Sequence, residues 1–161
     1  MAWKTCFAPA SVTPRTAVDP KKPTIRWINR QRRHPPNLAY LRRKLDAGLR
    51  RLPPARLRRL PAELSVVLVS ARESGRLHGR HLGDPTPADV LAFPHGEIVV
   101  CPDVAAALRK GHGLSLREEL LTYILHGILH LAGFRDSTRS SALAMRRLQS
   151  KLRNPPKLRP R

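Results

Sequence analysis

The segment that most constrains this chain is His126–Asp136, with the sequence HGILHLAGFRD. Its two histidines stand four residues apart in an apolar run, and helix positions i and i+4 lie on the same face. Two imidazoles in that arrangement suit a tetrahedral Zn²⁺ ion. Gly133 is suited to end the helix in a left-handed turn, after which the chain can return Asp136 to the rings. The pattern predicts three protein ligands and an open position for water, which is typical of catalytic zinc.

The same segment has an interpretation without a metal. The two histidines would then be core residues of a buried helix, and Asp136 would cap the next helix, at 137–151. A zinc protease helix is disfavoured, because its motif carries Glu directly after the first histidine as general base. This chain has Gly127 at that position.

The charge of the chain restricts its partners. Its 161 residues suffice for one domain with a sizeable core, and 31 Lys and Arg against 11 Asp and Glu give a net charge of +20. Such a surplus predicts a polyanionic partner, either nucleic acid, a ribosome or an anionic membrane. There is no apolar run long enough to span a membrane and no signal-peptide pattern at 1–20. Cys6 and Cys101 form no disulfide framework, so we expect a reducing cytoplasm.

Hydrophobic periodicity predicts an α+β domain of three or four strands with several helices beside them. The predicted strands are Thr24–Asn29, Glu63–Ser70, Asp89–Phe93 and Glu97–Cys101, the last two joined as a hairpin. The predicted helices are one opening at 35–37 and reaching Leu52, then Ala71–His81, a short one ending at Lys110, the metal-site helix Leu116–Ala132, and Ser137–Leu152. Ser115 and Glu118 form a capping box for the metal-site helix, and Arg51–Pro61 and Leu82–Pro87 are expected to be loops.

The chain divides into a single domain and two extensions. We predict a domain at 23–152, a disordered N-terminal extension at 1–22 and a basic disordered tail at 153–161. The helix after Pro36 is amphipathic, and the face opposite its leucines is basic. This face is either simply solvated or faces RNA; its cations are Arg42, Arg43, Lys44, Arg50 and Arg51.

These residues resemble the YbeY family, the metal-dependent endoribonucleases and rRNA maturation factors of bacteria. HGILHLAGFRD is similar to the family signature H-G-x-L-H-L-x-G-[YF]-D-H. Upstream, PADVLAFP at 87–94 is similar to P-T-D-V-L-S-F-P, and GEIVVC at 96–101 to G-D-I-V-I-C. Glu119 and Met145 also match. The resemblance covers roughly Leu64 to Leu152, more than half of the chain.

The resemblance implies a zinc-dependent, single-strand-specific endoribonuclease that acts in 16S rRNA 3′ end processing and ribosome quality control. One Zn²⁺ per chain would be held by His126, His130 and Asp136. Glu119 lies two turns before His126 on the same helix face, and it is either a supporting carboxylate that holds a histidine ring or a solvent-exposed helix charge. The implied partners are rRNA, the ribosome or small-subunit factors, without membrane or DNA. The implied fold is α+β, with a small mixed four-stranded sheet, helices packed on it, and a zincin-like metal-site helix near the C-terminus.

Two positions depart from the family pattern. The family's third ligand is His, and Asp136 stands there, which makes a bound water less acidic. The family also carries an Arg in L-N-x-x-Y-R, and that position is Leu82. Our candidate replacement is Arg80, followed by Arg135 and Arg139, and our candidate general base is Glu97.

Leu82 and Gly127 define the alternatives. The absence of the family Arg at Leu82 favours a weakened or non-catalytic metal-bearing factor that binds RNA or the ribosome. A metallopeptidase is the third hypothesis, and Gly127 argues against it because that reaction normally needs a base.

Overall fold

The computed structural model describes residues 22–154. Except for Lys22, Arg153 and Asn154, the extensions predicted to be disordered at 1–22 and 153–161 lie outside the described residues. The elements in chain order are β1 (Thr24–Asn29), α1 (Leu38–Leu49), α2 (Pro54–Leu57), β2 (Glu63–Leu68), α3 (Ala71–Leu82), β3 (Val90–Ala92), β4 (Glu97–Val100), α4 (Pro102–Leu108), α5 (Leu116–Leu131) and α6 (Arg139–Arg153).

The four strands form one mixed sheet in the order β1-β2-β4-β3. The pairs β1–β2 and β2–β4 are parallel, and β3 pairs antiparallel with β4 as the predicted hairpin. The hairpin closes where the Phe93 amide donates to the Glu97 carbonyl at 2.8 Å, and Gly96 supplies the positive φ of 98° that the turn needs. The predicted α+β class with a mixed four-stranded sheet is confirmed.

Helix α5 is the centre of the larger core. Twelve of its sixteen residues are buried, and it packs against β3, β4, α1, α4 and α6. A smaller apolar cluster lies on the other side of the sheet, where Leu77 of α3 packs against Val67, Leu91 and Val99. The metal-site helix is therefore held from several directions, which fixes the side chains that it presents.

Two predicted boundaries are wrong. Arg51–Pro61 is not only loop, because it contains α2, which begins with Pro54 in the first helical turn, where its missing amide is tolerated. Strand β2 ends at Leu68 rather than Ser70, because Ser70 is the N-cap of α3 and accepts from the Glu73 amide at 3.3 Å.

One smaller prediction is confirmed by the structure: the capping box of Ser115 and Glu118 is present at the start of α5. Cys101 is a buried free thiol. None of the helices within residues 22–154 is long and apolar enough to cross a membrane.

Candidate metal centre

The ends of α5 determine where its histidines lie. At the N-terminus, the Ser115 amide donates to Glu118 Oε2 at 2.9 Å. At the C-terminus, Gly133 takes a positive φ of 83°, and the Phe134 amide donates to the Leu129 carbonyl at 3.0 Å. This left-handed turn reverses the chain and returns it toward the helix face that carries the two histidines.

Three ligand atoms meet at this turn. Nε2 of His126 lies 3.0 Å from Nε2 of His130, and each of these nitrogens lies 3.8 Å from Oδ2 of Asp136. Ligands about 2.0–2.1 Å from a tetrahedral Zn²⁺ stand roughly 3.3 Å from one another. The three distances lie on either side of that value, so the residues fit a metal with one or more open positions. Asp136 does not cap α6, whose N-cap is Thr138.

A glutamine from α6 sets the tautomer of His126. Gln149 Nε2 donates to the Thr122 carbonyl at 2.9 Å, which orients the amide so that Oε1 faces His126 Nδ1 at 3.3 Å. Because an amide oxygen only accepts, Nδ1 carries the proton and Nε2 keeps its lone pair. His130 is bonded in turn to the backbone of Phe134.

Burial keeps both rings neutral. His126 is 2% exposed and His130 is 4% exposed. Burial, helped by the neighbouring His130, lowers the pKa of His126 to about 4. Burial also lowers the pKa of His130, against the opposing effect of Asp136. Neutral imidazoles are the form that binds a metal, and a cation between them would separate two facing lone pairs.

Comparison with known proteins decides the family. The family model described as Endoribonuclease YbeY matches residues 26–156. The chain belongs to the YbeY family. Proteins named Endoribonuclease YbeY from Kineococcus radiotolerans and Beutenbergia cavernae are 35% and 38% identical over 108 residues, 56% of this chain in each case. The aligned stretch spans 62% of the first relative and 72% of the second.

The fold of a solved structure is similar as well. The solution structure of TM1509 from Thermotoga maritima is 24% identical in sequence, with a TM-score of 0.55. The match covers 84% of this chain and all 100% of that one. At this identity the likeness concerns the fold, and it agrees with the α+β architecture described above.

The position of the YbeY-family arginine is occupied by an exposed leucine. Leu82 is the last residue of α3, and it is 42% exposed. Arg80 lies on the same helix and is exposed, and Glu97 is half-buried at the start of β4. Glu97 is not part of the three-residue cluster. Arg135 and Arg139 are exposed next to that cluster in the chain.

Glu119 holds a histidine, but not one of the cluster. Its carboxylate is fully buried, and Oε1 lies 2.7 Å from Nδ1 of His112, in the loop before α5. The pKa of Tyr123 is raised by burial and by its hydrogen bond to Glu119. Glu119 therefore links α5 to the preceding loop and does not contact His126 or His130 in these bonds.

Arg56 is a contributor to the site that the sequence did not reveal. Its Nη1 donates to the carbonyls of Gly133 at 3.2 Å and Ala132 at 3.5 Å. Its guanidinium lies 4.5 Å from the centre of the Phe134 ring. A cation at the C-terminus of α5 also complements the helix dipole. Arg56 thus fixes the turn that delivers Asp136, 76 to 80 residues further along the chain.

Proposed function

We propose that this chain is a zinc-dependent endoribonuclease that cleaves single-stranded RNA, with His126, His130 and Asp136 holding one metal ion. The observation that carries the proposal is the triangle of ligand atoms with sides of 3.0, 3.8 and 3.8 Å. Membership of the YbeY family supports RNA as the substrate. We further propose that the protein acts in the cytoplasm on the 3′ end of 16S rRNA and contributes to ribosome quality control.

The residues of the chain prepare this centre for hydrolysis. Zn²⁺ bound there would lower the pKa of a water ligand and polarise a phosphoryl oxygen. Gln149 holds the ring of His126, and Arg56 holds the turn before Asp136, so that little rearrangement is needed on binding. Asp136 brings a negative charge where the family signature has His, which makes a bound water less acidic than at a three-histidine site.

Cations on the chain can bind the RNA phosphates. The net charge of +20 favours a polyanion in general. Arg135 precedes Asp136 directly and Arg139 begins α6, so these two exposed cations flank the centre in the chain. Together with Arg80 they are our candidates for stabilising charge on the phosphate in the transition state. Glu97 is our candidate for accepting a proton from the attacking group.

The first test combines metal content with RNA cleavage. The purified protein is expected to contain about one zinc per chain, as this type of site predicts, and to cleave a single-stranded RNA matching the 3′ end of 16S rRNA but not the same sequence in a duplex. Chelation should abolish cleavage, and added zinc should restore it. His130→Ala and Asp136→Ala should lose both metal and cleavage, whereas His95→Ala, an exposed histidine outside the cluster, should retain both. Full metal content in both cluster variants would refute the ligand assignment.

A metal-bearing RNA-binding factor is the second candidate, and Leu82 is the observation that favours it. An exposed leucine at this position cannot bind a phosphate as the family Arg would. Under this alternative the metal-loaded protein binds single-stranded RNA without cleaving it, and Leu82→Arg creates or increases cleavage. Efficient cleavage by the parent protein would exclude this alternative.

A metallopeptidase has little support in the geometry. A side chain at Gly127 would face β3 and β4, because a Cβ atom there would lie 2.9 Å from Ile98 Cγ2 and 3.6 Å from Ala92 Cβ. The position following the first histidine therefore has no room for the glutamate of a zinc protease. We expect no digestion of casein by the zinc-loaded protein.

A further inference from the structure

A second site lies next to the metal centre, along the same helix. A pocket of about 740 Å³ opens between α4, α5, α6 and the segment 84–89. Glu119 and Thr122 of α5 line it, and helical spacing places them on the face that also carries His126 and His130. Seven residues of helix separate Glu119 from His126, a distance of about 10 Å. Gln149 lines the pocket and also contacts His126, so the two sites share a wall.

One wall of the pocket carries a histidine nitrogen that requires a donor. His78 is 3% exposed, and its Nδ1 lies 2.7 Å from the Thr86 carbonyl. Because that carbonyl only accepts, Nδ1 carries the proton and Nε2 is an acceptor. Within residues 22–154, the buried Nε2 has no hydrogen-bond partner. A buried acceptor without a donor is unfavourable, so this side of the pocket has no hydrogen-bond donor of its own to offer a ligand.

A carboxylate that also lines the pocket accepts rather than donates. Asp89 Oδ1 receives the Val90 amide at 2.7 Å, and the carboxylate lines the pocket. Burial raises the pKa of Asp89 to about 6, with electrostatic effects from Glu119 and His78 that show their proximity. Above pH 7 Asp89 is therefore ionised and acts only as an acceptor. Asp89 therefore selects a ligand that donates hydrogen bonds.

The remaining walls suit a flat ring, and the rim formed by α6 suits a phosphate. Val104, Leu108 and Leu114 give the pocket an apolar side. Two cations of α6, Arg146 and Arg153, stand at the pocket. Apolar contact, hydrogen-bond acceptors inside and cations outside match the three parts of a nucleotide: the base plane, the base amino group and the phosphate.

We propose that this pocket binds one nucleotide of the RNA beside the cleaved bond and prefers bases with an exocyclic amino group over uracil. The amino group donates to Asp89, and the adjoining phosphate contacts Arg146. The link to cleavage rests on the proposed function, whereas nucleotide binding by the pocket needs no metal. The shared wall at Gln149 makes the bound nucleotide a near neighbour of the phosphate at the metal.

The test measures the binding of mononucleotides to the full chain in excess chelator, by amide chemical-shift changes in NMR. The parent should bind cytidine monophosphate about tenfold more tightly than uridine monophosphate, the discrimination that one good base contact provides. The shifts should concentrate at residues around the pocket. Asp89→Asn adds an amide donor that suits the uracil carbonyl, so the preference should disappear or reverse. Glu63→Gln, an exposed carboxylate on β2, is the matched control and should leave the preference unchanged.

A second variant keeps the test decisive if Asp89→Asn does not fold. Arg146→Ala removes an exposed cation. It should weaken the binding of both nucleotides equally, by about three- to tenfold, without altering the ratio of the two affinities. Equal affinity of the parent for the two nucleotides, or shifts elsewhere on the protein, would overturn the proposal.

Cleavage of uridine tracts with a single internal cytidine separates the two proposals. Cleavage next to the cytidine, with selectivity lost in Asp89→Asn, supports both. Cleavage without base preference, together with no nucleotide binding in the pocket, would refute the pocket and leave the nuclease standing. Selective nucleotide binding in a protein that never cleaves RNA would refute the nuclease and leave the pocket standing.

Discussion

Oε1 of Gln149 on α6 lies 3.3 Å from Nδ1 of His126 on α5. This contact joins the two helices on the side of the His126 ring opposite the candidate metal position. It orients Nε2 of His126 toward His130 and Asp136. The glutamine is itself held by its bond to the Thr122 carbonyl. The last helix of the domain is therefore part of the metal centre although it supplies no ligand.

Replacement of Gln149 should weaken metal binding without abolishing it. Gln149→Leu removes the acceptor for Nδ1, frees the tautomer and should raise the zinc dissociation constant about 10- to 100-fold. Gln149→Glu keeps an acceptor for Nδ1 and should bind zinc at least as tightly as the parent protein. Competition with a chromophoric chelator measures both, and His126→Ala sets the level of full loss. Parent-like affinity in Gln149→Leu would show that α6 does not support the ring.

Arg56 should support the metal site through the backbone rather than through the metal. Arg56→Met removes the bonds to the Ala132 and Gly133 carbonyls but keeps much of the apolar stem, and should cost about 1–3 kcal/mol of unfolding free energy. The turn before Asp136 should loosen, with weaker zinc binding. Urea denaturation with and without chelator measures both effects. Arg58→Met, an exposed neighbour, should behave as the parent; equal losses in the two variants would contradict this role.

The sequence predicted those parts of the molecule that depend on local signals. The capping box at Ser115 and Glu118, the hairpin turn at Gly96 and the end of α5 near Gly133 each follow from residues close together in the chain. The amphipathic spacing of α1 also separated its buried leucines, Leu41, Leu45 and Leu49, from its basic face. These features agree with the structure because their causes act within one turn of helix or one hairpin.

Contacts between distant segments were beyond the sequence. Arg56 meets the turn at 132–134 across 76 or more residues, and α2, which carries it, had been expected to be a loop. Glu119 is seven residues from His126, a spacing that suggested a shared face, yet it bonds to His112 from the preceding loop. No periodicity reports such pairings, because they depend on how elements pack. Arg56 is one arginine in a basic stretch and His112 lies between two glycines, so neither residue has a sequence pattern that distinguishes it.

The stability of the protein should depend on the ionisation of Asp89. Its pKa is about 6 in the folded protein against an ordinary value of 3.8. Between these two values the folded state binds more protons than the unfolded state, so stability falls as pH rises and levels off above about pH 6. The total loss is up to about 3 kcal/mol, at 1.36 kcal/mol per pKa unit.

Asp89→Asn tests this dependence directly. The variant cannot ionise, so it should be more stable than the parent at pH 7.5, and the difference should shrink as pH falls toward 4.5. Urea denaturation at a series of pH values measures the difference, with Glu63→Gln as a control carboxylate at the surface. A constant difference between Asp89→Asn and the parent across this range would exclude Asp89 as the titrating group.

Gly127 should be required for the close approach of α5 to the sheet. A Cβ atom there would lie 2.9 Å from Ile98 Cγ2, on a buried β-branched side chain with little freedom to move. Gly127→Ala should therefore lose about 1–3 kcal/mol through overpacking, opposed by about 1 kcal/mol of improved helix propensity. We expect a net loss of stability in urea denaturation. We also expect weaker zinc binding, because α5, which carries both histidines, would move away from the sheet.

The matched control is Gly79→Ala on α3. There the nearest atoms to an added Cβ are 3.4 Å or more away, on Pro85, which is ordinary contact. This variant gains helix propensity without overpacking and should be as stable as the parent or more so. If Gly127→Ala matched Gly79→Ala in both stability and zinc affinity, the sheet would have room for a side chain beside His126, and the steric argument against a glutamate at that position would fail with it.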